Sequence, residues 1–306
     1  MSKDIEEMQD RIKRKFDLYT TDVLKVYNLP KDLRYQISLL DSLDVRLSKH
    51  SENTANIANR ICNYLNLNEK FIEYVATCAY IHDIGKLYIP PNIAKKRIKD
   101  LTEDEYYEYI KHAEIGYNIC RKDNSLKPFL AGPYYHHEEL DGSGFPQGLK
   151  ANQIPFEAKI ISVANIYEHL LNDDPNNRPT KLEVLSEMKK LRVKKKIDRV
   201  VFRALIKAVE DEAEYEIYNM NIYINHLKNE IQRYKKALSH YNIAKKTKNV
   251  SKEEYHVMYT KGYLTSREDP KDTPKYLKDT IEAYEDKKVE FNILKKEFRA
   301  IRRFMA

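Results

Sequence analysis

Apolar residues recur along most of this chain at intervals of three and four, and strictly alternating runs are scarce. That pattern predicts helices almost throughout and an all-α fold. A first amphipathic helix is expected over 4–28, with Ile5, Met8, Ile12 and Phe16 on one side and Pro30 as its terminator. Helices over 34–48, 51–65 and 70–84 follow, the second of them capped by Ser51. The run TEDE from Thr102 is a capping box and opens a helix over 103–121. Two more are expected over 127–138 and 156–172, and NDDPNNRP at 172–179 breaks the pattern. Beyond that break, Met220, Ile224, Leu227, Ile231, Tyr234, Leu238 and Tyr241 repeat with 4-3 spacing, the seam of a long helix over 199–245. A last helix over 274–304 aligns Leu277, Ile281, Tyr284, Phe291, Leu294, Phe298 and Ile301. The two long helices would close as an antiparallel hairpin or pair with a second chain as a homodimer. Three segments result: 1–33, 34–185 and a helical extension over 186–306, with the second boundary set within 180–198.

Composition adjusts this picture only in places. A chain of 306 residues suggests about two units at ~150 residues each. No apolar run approaches the ~20 residues that a membrane span needs, and the charged start MSKDIEEMQDRIKRK has no signal-peptide core. Three scattered cysteines, Cys62, Cys78 and Cys120, read as reduced thiols in a cytoplasmic chain. A net charge of +7 suits an anionic ligand but is also what solubility alone would ask. The run KKLRVKKKIDR at 189–199 is expected to be a solvated helix end, and nucleic acid is not an expected partner. The tyrosine-rich seam is expected to pack against a neighbouring helix rather than to stack bases.

The candidate chemistry lies in the histidines. Five of nine fall between 50 and 137: His50, His82, His112, His136 and His137. Asp83 follows His82 directly in the apolar setting ATCAYIHDIGKLYIP, where a carboxylate is costly unless it binds something. A carboxylate among imidazoles is a usual way to hold two divalent metals. Three of only seven glycines, Gly142, Gly144 and Gly148, follow the histidine pair within YHHEELDGSGFPQG, where the backbone must bend sharply or approach something closely.

HDIGK at 82–86, KHAEIG at 111–116 and HHEELDGSGFPQGL at 136–149 resemble the HD-GYP subgroup of HD-domain metal phosphohydrolases, with KHSENTANIA at 49–58 and IPFEAKIISVANIYEHL at 154–170 extending the likeness. The resemblance implies an HD-domain helical bundle over 34–185. It also implies a phosphodiesterase that hydrolyses a cyclic dinucleotide, chiefly cyclic di-GMP, through a hydroxide activated by two metals, iron or manganese. On that likeness His50, His82 and Asp83 would bind one ion, with Asp83 bridging to a second held by His112, His136 and His137. Lys86 would contact the scissile phosphate. Asp141, Gly142, Gly144, Phe145 and Pro146 would shape the substrate pocket.

Four positions depart from the family pattern. Asn165 stands where relatives place an aspartate ligand, and an amide oxygen is the poorer donor. Arg46 stands where trinuclear relatives place a glutamate, which points to two metals at most. Phe145 replaces the tyrosine of the name-giving motif. Asp174 replaces an arginine, and Arg178 could substitute for it in holding phosphate. Glu168 and His169, one turn past Asn165, could supply a substitute ligand at i+3 or i+4, but the expectation is a solvated pair. These departures keep two alternatives open: a binding or signalling module that does not cleave, and an HD-type nucleotidase with another nucleotide substrate.

Overall fold

The computed structural model describes residues 31–172, 174, 176–247 and 251–305; the helix expected over 4–28 lies outside them. Among the described residues there is no strand, only an isolated antiparallel bridge between Asp141 and Lys150. None of the described helices is long and apolar enough to cross a membrane. Two compact units emerge, one running to Glu212 and including Phe304, the other Ala213–Arg303.

In the first unit, helix α1 (Lys31–Leu43) leads into α2 (Val45–Tyr64), whose N-cap is Asp44, not Ser51. The Asp44 carboxylate accepts from the Arg46 backbone N–H at 2.8 Å, and Ser51 is buried inside the helix. His50 therefore sits in a helix interior rather than in front of one. Helix α3 (Glu69–Tyr80) stops four residues before its expected end, and His82 and Asp83 lie on the turn that follows. A 3-10 turn (Ile84–Tyr88) and the four-residue α4 (Pro91–Ala94) come next. The capping box at Thr102 is present, but its helix is broken at Ile110 into α5 (Glu103–Tyr109) and α6 (Lys111–Lys122). The helix expected over 127–138 shrinks to a 3-10 turn and α7 (Ala131–Tyr135), and the two histidines follow its last turn. Helix α8 (Phe156–Asn172) has the expected bounds.

Helices α2, α3, α7 and α8 pack around one core, in which Ala55, Ala58, Ile61, Val75, Cys78, Ile160 and Ile161 are all but inaccessible. Gly85 lets the turn after Asp83 lie directly on α6, because a Cβ there would come within 1.9 Å of the His112 carbonyl. The segment 180–198, expected as a boundary, contains α9 (Lys181–Val193), opened by a capping box of Thr180 and Glu183 and packed on α8. The division between units falls later, within α10 (Arg199–Lys246).

In the second unit, the later part of α10 packs with α11 (Ser251–Thr260) and α12 (Thr273–Met305). Ile224, Leu227, Ile231 and Tyr234 of the seam are buried. Tyr234 meets Tyr276 with ring centroids 5.6 Å apart, while Met220 and Tyr223 share a groove with Lys287 and Leu294. α10 and α12 thus run antiparallel as a hairpin closed within the chain.

Candidate metal centre

Helix ends and turns, not helix middles, deliver most of the site. His82 and Asp83 come from the turn after α3, His112 from the start of α6, and His136 and His137 from the end of α7. His50 is the exception, projecting from α2. Asp83 is at the centre and 1% exposed. Its Oδ1 lies 3.5 Å from His112 Nε2 and 3.7 Å from His136 Nε2. Its Oδ2 lies 3.4 Å from His82 Nε2 and 3.6 Å from His50 Nε2. One carboxylate thus faces two groups of imidazoles, one oxygen to each. His137 joins the first group, and Asp83, His112, His136 and His137 could together hold one ion. His50, His82 and Asp83 make a second such group.

The tautomers follow from what holds the other ring nitrogens. Nδ1 of His82 is 2.6 Å from the Ala79 carbonyl, that of His112 2.7 Å from the Tyr109 carbonyl, and that of His136 2.8 Å from the Gly132 carbonyl. A carbonyl only accepts, so each Nδ1 carries the proton and each Nε2 turns a lone pair inward. Open carbonyls of this kind occur in the last turn of a helix. His50 has no such carbonyl; its Nδ1 is held by the carboxylate of Glu168.

This arrangement fits a cation. His50 Nε2 and His82 Nε2 are 3.1 Å apart, and His112 Nε2 and His136 Nε2 are 3.2 Å apart. Two lone pairs so close repel unless something positive lies between them. Nitrogens bound ~2.1 Å from one ion at roughly right or tetrahedral angles would be about 3.0–3.4 Å apart. Asp83 Oδ1, His137 Nε2 and Asn165 Oδ1 are buried with no hydrogen-bond partner, and the partner of Asp83 Oδ2 is the Lys86 ammonium. Buried polar atoms left without a partner are rare in a native interior.

The protonation states agree. Burial drives the pKa of His82 down to about 3 and that of His112 to about 4. Burial and neighbouring imidazoles push His136 and His137 well below the ordinary histidine value. Burial opposes the charge on Asp83, yet Lys86 and the surrounding rings hold its carboxyl well below the usual range. The Lys86 ammonium lies 2.7 Å from Asp83 Oδ2, and although burial works against its charge, Asp83 holds its pKa above the usual lysine value. It also lies 5.2 Å from the centre of the Tyr109 ring.

A model of the HD domain matches residues 34–201. The chain belongs to the HD-domain family. It is 29% identical over 181 residues to a cyclic di-GMP phosphodiesterase of Thermotoga maritima, covering 58% of this chain and 46% of that one. It is 34% identical over 126 residues to the cyclic di-GMP phosphodiesterase response regulator RpfG of Xanthomonas campestris, covering 40% and 33%. The chain thus spans less than half the length of either relative. Among solved structures, the HD domain of the phosphodiesterase PgpH from L. monocytogenes aligns with a TM-score of 0.46 and 17% identity, over 60% of this chain and 98% of that one.

Around this HD-domain centre, several residues stand elsewhere than the sequence suggests. Glu168, expected to be solvated, is 4% exposed. Besides His50 it accepts from Asn53 Nδ2 at 2.9 Å and Asn172 Nδ2 at 3.0 Å. Two of these partners, His50 and Asn53, come from α2, more than a hundred residues away in sequence, which is why local pattern pointed to solvent instead. Burial raises its pKa, but the bond and charge of His50, the Asn53 bond and the charge of His169 together outweigh it and leave it lowered. His169 is half-buried, its ring 4.1 Å from that of His50.

A cavity of about 450 Å³ opens beside His50 and Lys86 and is lined also by Arg46, Lys95, Arg97 and Arg178. Asp174 does not simply subtract a cation, because it accepts from Arg97 Nη1 at 3.1 Å and so ties that guanidinium to the cavity wall. The Arg46 guanidinium is exposed and clasped by Asp44.

Asp141, Gly142, Gly144, Phe145 and Pro146 are not in the wall of this cavity. They form the loop over His137, whose ring stacks on Phe145 at 4.4 Å. Asp141 accepts from the Ser143 N–H at 2.9 Å, a turn contact. A Cβ on Gly144 would stand 2.3 Å from the Glu139 nitrogen and 2.4 Å from the His137 carbonyl. Glu138, another residue local pattern left unmarked, is buried and takes the Gln147 and Leu149 N–H groups at 2.8 and 2.7 Å. Lys196, from the run expected to be a solvated end, ion-pairs with Glu139 and donates to Ser143 Oγ at 2.9 Å.

Proposed function

We propose that the chain is a metal-dependent phosphodiesterase that hydrolyses a cyclic dinucleotide, cyclic di-GMP first among them. The observation that carries this is Asp83, a buried carboxylate with one oxygen toward each of two sets of inward-facing lone pairs. His50, His82 and Asp83 would hold one divalent ion, and Asp83, His112, His136 and His137 a second, iron or manganese, with Asn165 as a neutral additional donor. Bound there, the ions would supply positive charge for a phosphate oxygen and lower the pKa of a water. Lys86 holds its proton and presents a fixed cation at the junction of centre and cavity, suited to a non-bridging phosphate oxygen. Arg97 and Arg178 suit the flanking phosphate, so a diester with two charges would lie along the wall. The two relatives named as cyclic di-GMP phosphodiesterases support this substrate class.

Asn165 favours a second reading, binding without turnover, because a neutral amide stabilises a cation less than a carboxylate does. The deciding experiment loads metal-stripped protein with Mn²⁺ or Fe²⁺ and follows cyclic di-GMP, other cyclic dinucleotides and mononucleotides by chromatography. Linear products that vanish in Asp83→Ala support the enzyme. A loaded protein that binds the cyclic dinucleotide and leaves it intact replaces the first reading with the second.

A further inference from the structure

Outside the metal centre, a cluster of five basic side chains lines a separate cavity of about 510 Å³ in the first unit. Lys189 and Arg192 reach it from α9, and Arg199, Arg203 and Lys207 from the first turns of α10. Arg199, Arg203 and Lys207 are spaced by four, so they form one row on the helix face, where like charges disfavour the helix. Among the described residues Glu187 pairs with Lys190 and Glu212 with Arg60 and Lys181, while Glu210 neutralises Lys207 and leaves the arginines of the row. No carboxylate among the described residues comes within ion-pair distance of Arg192, Arg199 or Arg203. An ordinary solvated basic face is convex and interleaved with acids. This one is concave, three of its guanidinium groups have no ion-pair partner among the described residues, and the Phe304 ring lies 4.9 Å from the Lys189 ammonium.

We propose that this cavity binds a small polyphosphate anion of the kind nucleoside triphosphates carry, at a site separate from the metal centre. Guanidinium groups from two helices can each take two phosphate oxygens, which a lone lysine row cannot do. The volume lies in the range of small-molecule sites. The Phe304 ring at the wall offers a face to a base, although the charged row alone is enough for the phosphates.

The test is calorimetric titration of the full chain, stripped of metal by chelator, with tripolyphosphate, ATP and GTP. Binding is expected, weakening as salt rises, and falling at least about tenfold in Arg199→Ala/Arg203→Ala. Arg192→Glu should weaken it similarly, and all of these side chains sit at the surface, so the fold should persist by circular dichroism. Nucleotides binding more tightly than tripolyphosphate would add the base contact; equal binding would leave the phosphates as the whole ligand, and both support the site. The control Arg97→Ala/Arg178→Ala, in the other cavity, should leave affinity unchanged. Absence of binding, loss in the control but not in the α10 variant, or displacement of tripolyphosphate by lower concentrations of a single-stranded RNA oligonucleotide would overturn the proposal. None of these outcomes bears on the metal centre.

Discussion

Of the imidazole anchors described, those of His82, His112 and His136 are main-chain carbonyls, which substitution cannot remove. The His50 anchor is a side chain, so Glu168 is the position at which the orientation of one ligand can be altered alone. In Glu168→Gln, an amide replaces a carboxylate that receives from His50 Nδ1, Asn53 and Asn172. If its oxygen stays on His50, its NH₂ faces the Asn53 and Asn172 donors; if it turns around, two donors meet at His50. Either way one charge-assisted bond is lost, worth about 1.5–3 kcal/mol. Transferred to the ligand, that is about 10–100-fold in affinity for the ion at His50, His82 and Asp83. The ion at His112, His136 and His137 should bind as before, since no anchor there is touched. Competition with a graded series of chelators, read as metal per protein, resolves the two equivalents. Two equivalents of unchanged affinity in both Glu168→Gln and Glu168→Ala, in protein that remains folded, would refute the positioning role. Equal weakening of both would show that the variant disturbs the core and not one ring.

Asp83→Asn should destabilise the metal-free chain by about 3–5 kcal/mol in urea, because it leaves the buried Lys86 cation uncompensated, and Asp83→Asn/Lys86→Met should recover much of the loss. Asp83→Asn as stable as the parent would contradict the buried pair. Metal-free protein should also lose stability on acidification: the unfolded chain takes up protons near the ordinary histidine value of ~6.5, whereas folded His82 and His112 do so only at about 3 and about 4. Between those limits the unfolded state holds more protons, so each ring lowers stability by about 1.4 kcal/mol per unit of falling pH and contributes no slope above ~6.5. Denaturation midpoints at pH 7, 6 and 5 check this, and a flat profile refutes it. Gly144→Ala should cost about 1–3 kcal/mol by forcing backbone away from the His137 carbonyl, readable as a lower melting temperature.

Helix existence was legible because burial imposes the 3.6 period on long segments such as 156–172 and the two long helices. Helix ends were not. Three expected helices stop early or break, at Tyr80, Ile110 and Tyr135, and each stop is where a histidine ring takes a carbonyl. The metal-binding side chain and the helix terminus determine each other there, which a reading of periodicity cannot see. The five histidines and Asp83 carried a local signal, and the structure brings them together. Glu138 and Arg97 carried none, and Glu168 was set down as solvated: the decisive partners of Glu168 and Arg97 are distant in sequence, and those of Glu138 are main-chain N–H groups, which no side-chain pattern marks. Ser51 looked like a cap because a favoured residue preceded a periodic run, but Asp44 lies seven residues earlier and takes that place.

The strand of chain just beyond α9 has a practical bearing. The Leu140 N–H donates to the Lys196 carbonyl at 2.9 Å, and the Lys196 ammonium grips Glu139, so the loop after the histidine pair is fastened from outside the segment 34–185. A recombinant fragment cut at residue 185 would retain every imidazole of the metal centre and still release the arm that carries two of them. The smallest portable piece of this protein should therefore run through the opening turns of α10, to about Glu212, where the first compact unit closes.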